Sequence, residues 1–152
     1  MVESIETKKA TYIRDGRAPI PLRESTSRVM SANKGKNTKP EVVFRKYIYS
    51  MGLRGYRIHK KDIPGKPDIA FTKKKVAVFI NGCFWHRCPK CNLPLPTANK
   101  EFWEDKFLRN QERDKRKELE LCELGWKVVT IWECEINENI FGCLERILPF
   151  IT

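Results

Sequence analysis

Apolar positions along this chain switch between a helical and a strand period, and the switches mark its elements. Val43, Phe44, Tyr47, Ile48 and Met51 recur at helical spacing. Thr38-x-x-Glu41 opens that segment as a capping box, with Pro40 in the first turn, and Gly52 suits the left-handed position that closes it. A strand is predicted around Tyr56 to His59, followed by the turn Pro64-Gly65-Lys66-Pro67. Strands at Asp68 to Phe71 and Val76 to Ile80 flank a Lys73-Lys74-Lys75 turn and are close enough to form a hairpin. A cysteine-rich loop then runs to Ala98. A long helix is predicted from Asn99 to Leu124, closed by Gly125. Trp126 to Trp132 reads as a buried strand, and a last helix covers Glu138 to Leu148. This order predicts an α/β fold, an α/β/α sandwich with a mixed sheet.

Residues 1–36 lack a stable apolar period. They are read as an arm, basic from Ser27 to Lys36 with apolar tips at Val29 and Met30, able to order on nucleic acid. Residues 37–152 are read as one domain, long enough to bury a core without disulfides. No apolar run approaches the ~20 residues of a spanning helix, and the first thirty residues are polar and charged, so a cytoplasmic protein with no membrane contact is expected.

Charge narrows the picture. Lys and Arg number 30 against 19 Asp and Glu, a net +11 that favours a polyanion partner, although such an excess also serves plain solubility. The six cysteines are expected to be reduced. Cys122 and Cys143 fall within helical patterns and read as buried apolar thiols.

The densest chemistry lies in Asn81-Gly82-Cys83-Phe84-Trp85-His86-Arg87-Cys88-Pro89-Lys90-Cys91. Cys83, Cys88, Cys91 and the distant Cys134 supply the thiolate count of a tetrahedral structural Zn²⁺. The spacing is loose. The same cysteines also read as core residues, and His86 is a rival ligand to Cys91. Asp68, opening a strand after Pro67, is a natural Mg²⁺ ligand or an ordinary turn aspartate. Its setting resembles the PD-(D/E)xK nuclease core, but Ile80-Asn81-Gly82 stands where that core has a second acid and a lysine. A main-chain carbonyl from Ile80 would have to serve, with His86 as the nearest base. Phe84, Trp85 and Trp103 either stack on bases or pack an irregular loop. On the long helix, Asn110 and Asp114 interrupt the stripe Trp103, Phe107, Leu121, either to meet His86 or as part of a solvated face. Glu41 has its capping role. His59, beside Lys60 and Lys61, reads as a surface residue or phosphate contact.

From Ser27 to Ile136 the chain resembles the very-short-patch repair (Vsr) endonucleases. The resemblance rests on Lys36-Asn37-Thr38-Lys39-Pro40-Glu41, Pro64-Gly65-Lys66-Pro67-Asp68, Gly82-Cys83-Phe84-Trp85-His86, Glu101-Phe102-Trp103, Asn110-x-x-Arg113-Asp114, Leu124-Gly125-Trp126 and Trp132-Glu133-Cys134. It implies a prokaryotic, Mg²⁺-dependent endonuclease that nicks one strand beside the thymine of a T·G mismatch left by deamination of 5-methylcytosine. It implies a functional link to a cytosine-5 methyltransferase, and a monomer is expected. On that pattern Asp68 and the Ile80 carbonyl hold Mg²⁺, and His86 activates water with Glu41 and Asp114 in support. Phe84, Trp85 and Trp103 wedge into the DNA, with Met30 inserted from the minor groove, and Cys83, Cys88 and Cys134 hold zinc. Lys60 and Lys61 are expected to contact DNA phosphates. Two positions depart from the family. Asn81 stands where some members carry a histidine, and it cannot take a proton. Lys90 stands where some carry a cysteine, and Cys91 follows it.

Overall fold

The computed structural model describes residues 35–152. The arm before residue 35, with Met30, lies outside them. The elements are α1 (Lys39–Ser50), β1 (Ile69–Phe71), β2 (Val76–Asn81), α2 (Lys100–Glu123), β3 (Lys127–Trp132), α3 (Glu133–Glu145) and α4 (Leu148–Ile151). These residues fall into two compact units, Pro94–Lys106 in one and Lys34–Leu93 with Phe107–Thr152 in the other. Within the first, the Phe102 and Trp103 rings meet edge to face at 5.3 Å.

The second unit is built on β2. One edge pairs antiparallel with β1, Ile69 opposite Val78 and Phe71 opposite Val76, as the expected hairpin. The other edge pairs parallel with β3, from Val76 opposite Lys127 to Asn81 opposite Trp132. The resulting mixed sheet has the order β1-β2-β3. Strand alternation then sorts the side chains. Val76, Val78 and Ile80 join Val129 and Ile131 on one face, against Phe44 and Ile48 of α1 and Ile136 and Leu144 of α3. On the other face Ala70 and Ala77 meet Ile63 and Leu121, with Phe79, Trp126 and Val128 at the margin. Helical residues therefore cover both faces, an α/β arrangement. Among the described residues no helix is long and apolar enough to cross a membrane.

Several expectations need correcting. The strand around Tyr56 to His59 is reduced to one bridge, Arg57 opposite Ala70. Gly55 (φ 82°) and His59 (φ 47°) leave the extended region on either side of it. The helix expected from Glu138 to Leu148 is α3, which starts at Glu133, directly after β3, ends at Glu145 and is followed by the separate α4; it bends at Asn139 (φ −155°, ψ 83°), whose side chain accepts the N–H of Gly142. Cys122 is exposed: with Leu121 turned inward, the next helical residue points about 100° away. Cys143 is buried as expected. Thr38 precedes α1 but caps no backbone N–H with its side chain. Its hydroxyl donates to Glu41 Oε1 at 3.0 Å, while Glu41 Oε2 accepts the N–H of Asn37 at 3.0 Å.

Phe44 is fully buried where α1 meets the sheet. Phe44→Ala should lower unfolding free energy by roughly 3–5 kcal/mol, read as a lower urea midpoint with an unchanged slope.

Candidate active site and metal centre

Glu41 and Asp68 come together at the mouth of the hairpin. Glu41 is the one buried charged residue among those described. Its carboxylate is held by the start of α1 and by Arg45, 3.5 Å away. Positive helix-end dipoles offset part of its charge. Asp68, just before β1, accepts the N–H of Ile80 at 2.6 Å. In an extended strand the N–H and C=O of one residue face the same edge, so the Ile80 carbonyl also looks toward Asp68. Burial pushes the Asp68 carboxyl up to about 7. The Ile80 N–H opposes that shift, and the negative charge of Glu41 adds to it.

His59 stands between these carboxylates, contrary to its reading as a surface residue. Its Nε2 lies 3.4 Å from Glu41 Oε2 and its Nδ1 lies 4.0 Å from Asp68 Oδ1. One donor atom from each of Glu41, His59 and Asp68 falls within 4.8 Å of the others, a set that fits a divalent cation. The antiparallel bridge between Arg57 and Ala70, continued two residues toward the Pro64-Gly65 turn, sets position 59 opposite Asp68.

On the other side of β2, His86 Nδ1 lies 2.6 Å from Asp114 Oδ2. An ionised carboxylate only accepts, so Nδ1 is assigned as the donor of this bond, which leaves Nε2 as the ring's other nitrogen, facing away from Asp114. Asn110 donates to the main-chain oxygen of Trp85 at 3.1 Å. The polar break in the α2 stripe is thus a contact with the Trp85-His86 loop. Asn81, His86 and Asp114 line a cleft of about 990 Å³ with Phe79, Lys115 and Trp132. Asp68 lies outside that cleft, although His86 is close enough to act on its charge.

The four cysteines Cys83, Cys88, Cys91 and Cys134 gather with their sulfurs within 4.8 Å of one another. Cys88 and Cys134 are 3.8 Å apart. Two sulfurs each about 2.3 Å from a tetrahedral zinc stand about 3.8 Å apart, so the donor set fits that ion. Burial pushes the Cys83 thiol up to about 11 and the Cys134 thiol further up. Burial also opposes ionisation of Cys88, but the N–H groups of Cys91 and Lys90 outweigh it and hold that thiol below its usual value. A cation among them would offset the charge of several thiolates. His86 is engaged by Asp114, and Cys91 supplies the fourth sulfur.

The remaining candidates differ in setting. Phe84 meets Trp85 edge to face at 5.1 Å and Phe107 at 5.2 Å, so part of its ring packs the loop. Trp85 is half-buried. Trp103 is buried and belongs to the Pro94–Lys106 unit. Lys60 pairs with Asp62 at 2.9 Å, and Lys61 is exposed.

Two outcomes follow from this geometry. The protein should purify with about one zinc. Cys134→Ala should release the metal and cost several kcal/mol of stability, checked by elemental analysis and thermal melting. Without added divalent cation, stability should fall as pH rises from about 4 to about 7. In that window native Asp68, titrating at about 7, holds a proton that the unfolded chain, at 3.8, has released. Urea melts of wild type and Asp68→Asn across that range check the sign: the variant should lose the slope.

Comparison with known proteins finds relatives along most of the chain. The sequence profile described as DNA mismatch endonuclease Vsr matches residues 21–93. The type II nicking enzyme V.NmeAIP of Neisseria meningitidis is 45% identical over 121 residues, covering 78% of this chain and 84% of that protein. The type II nicking enzyme V.XorIIP of Xanthomonas oryzae is 40% identical over 118 residues, covering 77% and 84%. The DNA mismatch endonuclease Vsr of Escherichia coli is 32% identical over 120 residues, covering 79% and 76%. With over three quarters of its length aligned to relatives under both names, the chain belongs to the Vsr family of DNA endonucleases.

Proposed function

We propose that this endonuclease nicks one strand of duplex DNA beside the thymine of a T·G mismatch, in very-short-patch repair of deaminated 5-methylcytosine. The observation that carries the reading is the pair of titratable clusters flanking the end of β2, Glu41–His59–Asp68 and His86–Asp114, in a chain of this family. A nuclease-like core of the PD-(D/E)xK kind is supported by Asp68 at the hairpin mouth, with a main-chain group of Ile80 standing in for the missing second acid. A link to a cytosine-5 methyltransferase and action as a monomer belong to the same reading.

Asp68 and the Ile80 carbonyl would hold the catalytic cation, Mg²⁺ on the family pattern, which would supply Lewis-acid charge. His86 Nε2 takes a proton from a water while Asp114 holds the imidazolium that forms. The water oxygen bonds to phosphorus, the P–O bond to one neighbouring sugar breaks, and the leaving oxygen takes up a proton. Glu41 keeps the negative charge around Asp68 high. Asn81 orients water or phosphate by hydrogen bonds, since it cannot accept a proton. Lys60 and Lys61 add affinity that ignores sequence. Trp85, braced by Phe84, wedges beside the mismatch, where unstacking costs least; the buried Trp103 is not placed in that wedge. Met30 enters from the opposite groove, and zinc on the four cysteines would hold the wedge loop in place.

A second reading, strand cleavage of matched duplex, is favoured by the type II nicking names of several relatives. A nicking assay on otherwise identical T·G and matched duplexes, with and without Mg²⁺, separates the two. We expect one strand of the T·G duplex to be cut and the matched duplex to persist. Asp68→Asn should cut at least about 100-fold more slowly while binding DNA normally. Equal cleavage of both duplexes would establish the second reading. Full activity of the variant would remove Asp68 from the reaction.

A further inference from the structure

We infer that His59 is a direct nitrogen ligand of the catalytic cation, which raises the affinity of this site for a transition ion such as Mn²⁺ above that for Mg²⁺. The inference rests on the proposed role of Asp68 as a cation ligand. It adds an imidazole and the Glu41 carboxylate to the oxygens of Asp68 and Ile80.

Three observations converge on it. The side chain of His59 is largely enclosed, and its Nε2 is buried without a hydrogen-bond partner. A buried polar atom left unsatisfied is costly and calls for a partner. Nε2 faces Glu41 Oε2 at 3.4 Å but is too poorly directed for a hydrogen bond, while Nδ1 stands 4.0 Å from Asp68 Oδ1. Donors that share one ion at about 2.1 Å each lie up to about 4.2 Å apart, so these spacings need only modest closure. Charge also balances, since Glu41 and Asp68 with a neutral imidazole match a divalent ion.

The alternative is an imidazolium wedged between two carboxylates for structural reasons. Donor chemistry separates the two. Mg²⁺ demands oxygen donors, while first-row transition ions accept imidazole. Among those ions Mn²⁺ binds nitrogen and sulfur sites most weakly, so it leaves the cysteine cluster undisturbed.

The test titrates Mn²⁺ and Mg²⁺ separately into the zinc-loaded protein by calorimetry, for wild type, His59→Asn and Asp68→Asn. Asparagine tolerates positive φ and so keeps the loop. Wild type should bind Mn²⁺ about 10-fold or more tighter than Mg²⁺. His59→Asn should lose about 10-fold in Mn²⁺ affinity while Mg²⁺ stays within about twofold, and Asp68→Asn should lose both metals. Pulsed electron paramagnetic resonance on Mn²⁺-loaded wild type should show ¹⁴N coupling from a bound imidazole, gone in His59→Asn. Wild type lacking that coupling, coupling that survives in His59→Asn, or equal loss of both metals in that variant would each overturn the inference. Retained metal binding in Asp68→Asn would instead overturn the role of Asp68, and the inference with it.

Discussion

Everything in the second unit hangs on β2 being paired along both edges. The antiparallel edge brings Asp68 within reach of the Ile80 N–H, and the parallel edge brings Trp132 level with Asn81. Two residues further along each chain stand Cys83 and Cys134, and the Cys134 N–H points at the Cys83 sulfur from 3.4 Å. One strand end therefore sets the position of a carboxylate on one side and a thiolate cluster on the other. A slip of one residue would turn the alternating side chains to the wrong face and separate both groups at once.

The electrostatics of that region run against the charge of the whole. A chain with net +11 concentrates Glu41, Asp68 and Asp114 around the end of one strand. Long-range positive potential draws a polyanion in. The short-range carboxylates repel it, and a divalent cation converts that repulsion into attraction. The raised Asp68 carboxyl is the local sign of this frustration, since burial and Glu41 both disfavour its charge.

Much of the arrangement was legible in the chain. The apolar runs at Val76 to Ile80 and Trp126 to Trp132 marked two strands, although the second, expected to be buried, buries only Val129 and Ile131 and exposes Lys127. The break at Asn110 and Asp114 was visible because helical phase is strict. The gathering of Cys83, Cys88, Cys91 and Cys134 was suggested by the number of thiols, but their spacing is loose, and the choice between a metal cluster, core packing and His86 as a ligand needed coordinates. His59 was misread because its partners are set by register across an irregular loop. Periodicity says nothing there, and the neighbouring lysines suggested a solvent face. The start of α3 was misplaced because Trp132-Glu133-Cys134 passes from strand to helix with no intervening turn residue.

The bend at Asn139 divides α3 into two working lengths. The first carries Cys134 to the thiolate cluster and, two residues on, Ile136 into the core, while the second carries Cys143 and Leu144 into the same core. Cluster and core thus share one turn of helix ahead of the bend, and a disturbance of the thiolates is passed directly to the hydrophobic interior.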